Sequence, residues 1–215
     1  MRAAPPKALL DPQLPSALEE RIPAGLERGA TFEACRIEGS SFSGTQAAGI
    51  RFDGVAIAGG TLDASVLANL TWLDVVCERV DLSMIDWRGA KLTRVAFRGC
   101  RLTGAKLAEG ELEHVRFVDC HLDYASFTDT RFRQVAFQAC QLHEAYFHGA
   151  DLTGTAFAEC QLRGSDFTRT KLQGADVSSS DIEAIKVGPG DVRGLAVNRV
   201  QASQLAKVFG LVVRD

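Results

Sequence analysis

The chain has 215 residues, 46% hydrophobic and 24% charged, with a net charge of −3. The apolar content excludes a disordered chain, no run of about 18 apolar residues suggests a membrane-spanning helix, and the charge gives no basic footprint for nucleic acid. The opening MRAAPPKALLDPQLPS lacks the long apolar core of a secretory signal, so a cytoplasmic protein is expected.

Residues 1–29 hold five of the six prolines and show no period. Pro15 to Arg21 suits a short helix, with Leu14, Leu18, Ile22 and Leu26 as its apolar side. The segment reads as an N-terminal cap on the repetitive region beyond it.

Residues 30–199 keep a period of five without a slip. Stepping by five from Phe32 to Val197 visits 34 positions, which hold eleven Phe, twelve Leu, three Ile, four Val and both Trp; only Ala47 and Cys77 are weak members. Two residues before each centre the side chain is small or aliphatic, as at Ala90, Cys100, Ala105 and Cys120. Two residues after each centre stand 13 of the 20 glycines. The other two classes carry most of the charge. Helices need apolar recurrence near 3.6 residues, so this period suits none. A strand alternates, so two inward positions around one outward residue make a very short strand, and glycine then turns the chain. One pentapeptide is one side of a coil.

The number of sides comes from a second period. Cys100, Cys120, Cys140 and Cys160 recur every 20 residues, as do Phe97, Phe117, Phe137 and Phe157, and Val75, Val95, Val115 and Val135. Four sides per coil stacks like on like, which fills a narrow interior without voids. The cysteines then form a row of small buried thiols, neither disulfides nor a zinc site. Around residues 66–85 the pattern is least regular. Val66, Leu73, Val76 and Met84 fall on outward positions, and a local bulge that turns them inward is expected beside Trp72 and Trp87, the alternative being an apolar binding patch.

The C-terminal segment 200–215 reads as a helix and tail. Asn198 suits the N-cap, with Gln201 three residues on, and Gly210 suits the stop. Val200, Leu205, Val208, Phe209, Leu211 and Val213 give it more apolar surface than a free tail carries. It either caps the last coil or packs against a second copy.

With Ala150-Asp151-Leu152-Thr153-Gly154 and Ser165-Asp166-Phe167-Thr168-Arg169 as its best-formed units, the chain resembles the pentapeptide-repeat family over residues 30–199. The resemblance implies an all-β fold, a right-handed quadrilateral β-helix of about 8 coils with a short C-terminal helix. Asp191, Gly194, Gln201, Ala202, Ser203, Leu205, Gly210 and Val213 make the tail similar to that of the quinolone-resistance (Qnr) branch. That implies a homodimer joined through its C-terminal ends. It also implies a non-enzymatic rod that imitates DNA, binds DNA gyrase or topoisomerase IV, and protects it from poisons in antibiotic resistance or self-immunity.

No nucleophile motif or phosphate loop is present, and His114, His121, His143 and His148 fall outward on sides without inserted loops. No catalytic residue, cofactor or metal is therefore expected. The side centred on Leu82, Leu102, Leu122, Leu142 and Leu162 sums to −4, through Asp63, Asp81, Asp123, Glu144, Asp181 and Glu183 less Arg101 and Arg163, while the other three sum to zero. Those six acids are the candidate partner-binding residues, with nucleic acid and membrane excluded as partners. The other reading is a general protein-interaction scaffold of the same family with no topoisomerase role.

Overall fold

A computed structural model describes residues 8–214. Its strands are Glu19–Glu20 (β1), Thr31–Glu33 (β2), Cys35–Glu38 (β3), Gln46–Ala48 (β4), Arg51–Ala58 (β5), Val66–Ala68 (β6), Thr71–Glu78 (β7), Lys91–Arg98 (β8), Glu111–Val118 (β9), Arg131–Gln138 (β10) and Ala156–Ala158 (β11); one helix, Arg199–Val208 (α1), comes after them. Every pairing from β2 to β11 is parallel with a 20-residue offset. One ladder runs Arg36, Ala56, Val76, Ala96, Arg116, Ala136, Ala156, Asp176, Ala196. Three more ladders, through Thr61, Asp86 and Asp151, have the same offset. The fold is a four-sided parallel β-solenoid, about 40 Å long at the usual strand spacing of about 4.8 Å.

The interior is the period-five class. Nearly all of its members are buried; Ala47, Val192 and Val197, at the two ends, are half-buried. Phe97, Phe117, Phe137 and Phe157 stack with centroids 4.8 to 4.9 Å apart and planes within 5°. Phe127, Phe147 and Phe167 form a second column, which meets the first edge-on, as in the 86° pair Phe137–Phe147. All six cysteines are free and buried. Burial pushes the Cys77 thiol up, and contact with neighbouring thiols together with burial does the same for Cys120 and Cys160. The small inward class also supplies hydrogen bonds: Ser65, Thr130, Ser165 and Ser180 donate to carbonyls 23 residues earlier, at 2.6 to 2.9 Å.

The four sides are not alike. β5, β7, β8, β9 and β10 each cover two sides and bend at one residue of positive φ, such as Arg94 (51°) or His114 (55°). The other two sides pair mostly by single-residue bridges. Their corners close with a tight turn, as in Ala105 N–H to the Leu102 carbonyl at 3.0 Å. At one corner the chain stays extended through five coils: Val55, Val75, Val95, Val115 and Val135 come directly after the bends inside the long strands. At the same place in the next coil Thr155 stands, the tight turn closes (Thr155 N–H to Leu152 carbonyl, 2.9 Å), and the long strand ends. Corners take the left-handed conformation whether or not they hold glycine; Tyr124 (59°), Glu144 (50°) and Ala184 (57°) do so too.

Two expectations are corrected. Residues 66–85 contain no bulge: the register runs unbroken through β7 into β8, and Val66 and Met84 stay exposed, with Leu73 and Val76 half-buried. The tryptophans fit because Trp72 lies between Phe52 and Phe97, 5.6 Å from each, and meets Trp87 edge-on at 4.9 Å. The tight fit leaves both indole N–H groups without a partner.

The second correction concerns Pro15–Arg21, which is not helical. Ile22 is fully outside, at 87% exposure, and only Leu26 of the four apolar residues is buried. β1 pairs with β3 at the base of the stack, and Arg21 covers the Phe32 ring at 5.0 Å. Upstream, the chain is an extended strap that climbs the corner between the two sides spanned by the long strands. Pro15 packs 3.0 Å from where a Cβ on Gly54 would stand. Gln13 N–H donates to Asp74 Oδ1 at 2.8 Å, Asp11 pairs with Arg116 at 3.1 Å, and Leu10 N–H donates to His114 Nδ1 at 3.2 Å. Ala56 and Ala96, outward in register, are buried beside this strap, whereas Ala156 beyond it is exposed.

Candidate functional site: the acidic side and the two ends

The six acids read from the sequence do share one side. Asp81 and Asp181 are rungs of the ladder Ser41, Thr61, Asp81, Arg101, His121, Gln141, Gln161, Asp181. Asp63, Asp123 and Glu183 lie two residues past their rungs, and Glu144 holds a corner. Their charges are partly answered within the chain. Asp81 pairs with Arg101 at 3.3 Å, Glu183 with Arg163 at 3.6 Å, and Asp123 accepts from His143 Nδ1 at 2.8 Å and His143 N–H at 2.9 Å. Asp63 has no ion-pair partner among the described residues; the Ser43 and Thr61 hydroxyls donate to it and hold its carboxyl below the usual range. Asp181 accepts the Glu183 N–H at 2.9 Å. Glu144 is exposed without an ion-pair partner among the described residues. Asp63, Glu144 and Asp181 are thus the carboxylates of this side with no ion-pair partner among the described residues.

The side spanned by the first half of the long strands carries alternating charge instead. Lys91, Glu111, Arg131, Asp151 and Lys171 stack in one file. Glu111 lies between Lys91 (4.0 Å) and Arg131 (3.3 Å), and Asp151 meets Lys171 at 3.1 Å. Exposed pairs of this kind are worth about 0–1 kcal/mol each; here they cancel the field of that side. An open groove of about 900 Å³ lies beside the first described residues of the strap, between Leu10, His114, Arg133, Gln134 and Gly154.

The C-terminal end closes as its sequence suggests. Asn198 and Gln201 form a reciprocal capping box, and Gly210 lies just past the helix at φ 78°. Gln201 is 3% exposed, and its Nε2 donates to the Val177 and Ser180 carbonyls at 2.8 and 2.7 Å, satisfying the last coil. Of the residues assigned to dimerisation, Leu205 is instead buried against its own coil and Phe209 is half-buried. A helix standing on an open solenoid end must bury an apolar residue there, and Leu205 does so. Val200, Val208, Leu211 and Val213 are exposed, beside a hollow of about 160 Å³ lined by Ile182, Ala184, Leu205 and Val208.

Sequence reasoning missed the paired corner that holds the strap. Asp74 and Arg94 are stacked corner residues joined by two hydrogen bonds of 2.7 and 2.6 Å. Burial alone would raise the Asp74 carboxyl; the Arg94 bonds, the Gln13 N–H and the Arg94 charge outweigh it and hold it below the usual range. The stabilisation is therefore fully present above the unfolded value near pH 4 and is lost as pH falls through the folded one. Asp74→Ala removes the acceptor and leaves Arg94 half-buried and unpaired. A loss of about 1–3 kcal/mol is expected, with faster amide exchange over residues 10–15. Unchanged exchange there would show that the strap does not depend on Asp74.

Among the described residues no group of three His, Cys, Asp or Glu is placed to hold a metal ion. No helix among them is long and apolar enough to cross a membrane. With the coil, its corners and its outward files in view, comparison with known families finds that a family model described as pentapeptide repeat region matches residues 90–167. Those residues are a pentapeptide-repeat region. Solved structures of similar shape include trypsin-treated QnrB1, a plasmid-mediated fluoroquinolone resistance protein (20% identity over 92% of this chain and 97% of that one, TM-score 0.35). HetL, a pentapeptide repeat protein involved in heterocyst differentiation regulation from Nostoc sp. strain PCC 7120, matches at 15% identity over 79% and 87% (TM-score 0.28). A pentapeptide repeat protein of the Arabidopsis thaliana thylakoid lumen matches at 19% over 65% and 69% (TM-score 0.26). No curated protein sequence matches the chain. The pentapeptide-repeat region contains the regular middle of the aromatic columns and of the acidic side.

Proposed function

We propose that this protein is a non-enzymatic, cytoplasmic rod that binds a type II topoisomerase, DNA gyrase or topoisomerase IV, and protects it from a poison. The observation that carries the reading is the single acidic side of an unbranched rod, together with a tail similar to that of the Qnr branch. Carboxylates repeating along a rod imitate the phosphate edge of a duplex. Three of the six have no ion-pair partner among the described residues, so the imitation rests on Asp63, Glu144 and Asp181 and on the shape of the side more than on charge density. Duplex DNA carries one charge per about 1.7 Å. Two copies join end to end through Val200, Val208, Leu211 and Val213, which roughly doubles the rod.

Gyrase supercoiling with and without a quinolone tests this. The purified protein is expected to restore supercoiling in the presence of the drug or to inhibit it alone. Asp63→Asn/Glu144→Gln/Asp181→Asn is expected to weaken the effect about tenfold at low salt and less at high salt. Neither protection nor inhibition sinks the proposal, and capture of a different partner would then favour a general scaffold.

A further inference from the structure

The corner between the third and fourth sides carries large exposed side chains that the fold does not require. Met84 is 58% exposed at φ 56°, and Tyr124 is 53% exposed at φ 59°. The left-handed conformation costs a bulky residue about 1 kcal/mol or more, and glycine serves the same corner at Gly104 and Gly164. Those two glycines leave a track. Met84 Sδ lies over Gly104, and Glu144 Cγ sits 3.1 Å from where a Cβ on Gly164 would stand. Ser126, two residues past Tyr124, bridges to Tyr146 in the next coil, and Tyr146 is 42% exposed. Two tyrosines thus stand on adjacent rungs of one edge.

Two carboxylates without an ion-pair partner among the described residues stand beside them, Glu144 and Asp166. Glu144 is next after Tyr124 along the corner, since the Tyr124 N–H donates to the His143 carbonyl of that coil. Asp166 is the rung beyond Tyr146 and accepts only from its own Thr168, at 2.9 and 2.6 Å. Asp123 is engaged by His143. The nearby basic groups are His143, His148, Lys106 two rungs below Tyr146, Lys186 on the rung beyond Asp166, and Arg163 beside Glu144; Arg163 pairs with Glu183, and among the described residues none of them pairs with Glu144 or Asp166.

We propose that this edge binds arginine side chains of a basic protein segment. Exposed tyrosine faces stack on a planar guanidinium, and Glu144 and Asp166 offer two oxygens each to its fork of donors; a lysine ammonium matches the charge but neither geometry. The inference rests on reading the rod as a protein-binding surface, and it names the chemistry of the partner.

The test uses labelled octa-arginine and octa-lysine peptides with the full chain, read by fluorescence anisotropy at low salt. Octa-arginine is expected to bind about 5-fold or more tightly than octa-lysine, the size of two exposed cation–π contacts. Tyr124→Ser/Tyr146→Ser is expected to bring the two peptides within about 2-fold of each other, whereas Tyr124→Phe/Tyr146→Phe keeps the rings and the preference. Equal affinities, no binding of either peptide, or a preference that survives the serine pair overturns the proposal. No topoisomerase is present, so the edge can fail while gyrase protection stands, and the reverse.

Discussion

Replacing Gly60 by alanine is expected to destabilise the protein by about 3 kcal/mol or more. Gly60 stands in the small inward class, where other coils carry serine, valine or cysteine at the same place, yet it alone in that class takes a left-handed φ, 79°. A Cβ there would lie 2.1 Å from the Ser40 carbonyl oxygen and 2.8 Å from the Ser40 nitrogen, both backbone atoms of the coil below. That same carbonyl accepts the Thr61 N–H at 2.9 Å. The methyl therefore forces two coils apart and breaks a rung. The neighbouring Gly59→Ala is the control. Its φ is 63°, but nothing approaches its Cβ position closer than 4.0 Å, so only the conformational cost of about 1 kcal/mol applies. Urea unfolding of the two variants measures the difference, and equal midpoints would show that the stack yields at Ser40.

Phe117→Ala is the larger loss from the interior, at about 3–5 kcal/mol. Phe117 is stacked 4.8 Å from both Phe97 and Phe137 and meets Phe127 edge-on at 6.3 Å. The flanking rings are fixed to rungs about 4.8 Å apart, so they cannot close the gap without breaking the sheet. Phe42, 8% exposed near the first coil, offers the contrast. Phe42→Ala is expected to cost about half as much, because an end coil can rearrange or fray. A Phe117→Ala midpoint equal to that of Phe42→Ala would mean that the columns are softer than their geometry implies.

Much of this architecture is written in the sequence, for a physical reason. Each residue class meets the same environment every five positions and the same neighbour every 20, so interior, corners and acidic side all emerge from arithmetic. The thiol row and the capping box of Asn198 and Gln201 do too, the latter because both partners lie within one helical turn. What escapes the arithmetic has no repeat. The strap bonds at Gln13–Asp74 and Leu10–His114 join residues 61 and 104 apart in sequence, and no local pattern announces them. The irregular look of residues 66–85 misled because it counted apolar residues on outward positions, whereas the register is held by backbone bonds that ignore side-chain polarity. The valine series was visible as a ladder, yet that it marks the strands running across a corner shows only in the structure, where the long strands stop at Thr155. On the acidic side the charges were countable, but Arg101, Arg163 and His143 answer half of them through contacts a sum per side does not resolve.

The strap also sets an order of events during synthesis. Its residues leave the ribosome before the coils do, but their anchors at Asp74 and His114 exist only after the coils holding them have formed. Coils need only the neighbour beneath them and can be laid down as the chain emerges, so the strap, made before these coils, settles after them. Until then Ala56 and Ala96 stay open to water, and an early ribosome-bound fragment ending before residue 114 carries a leading segment with nowhere to fasten its tip.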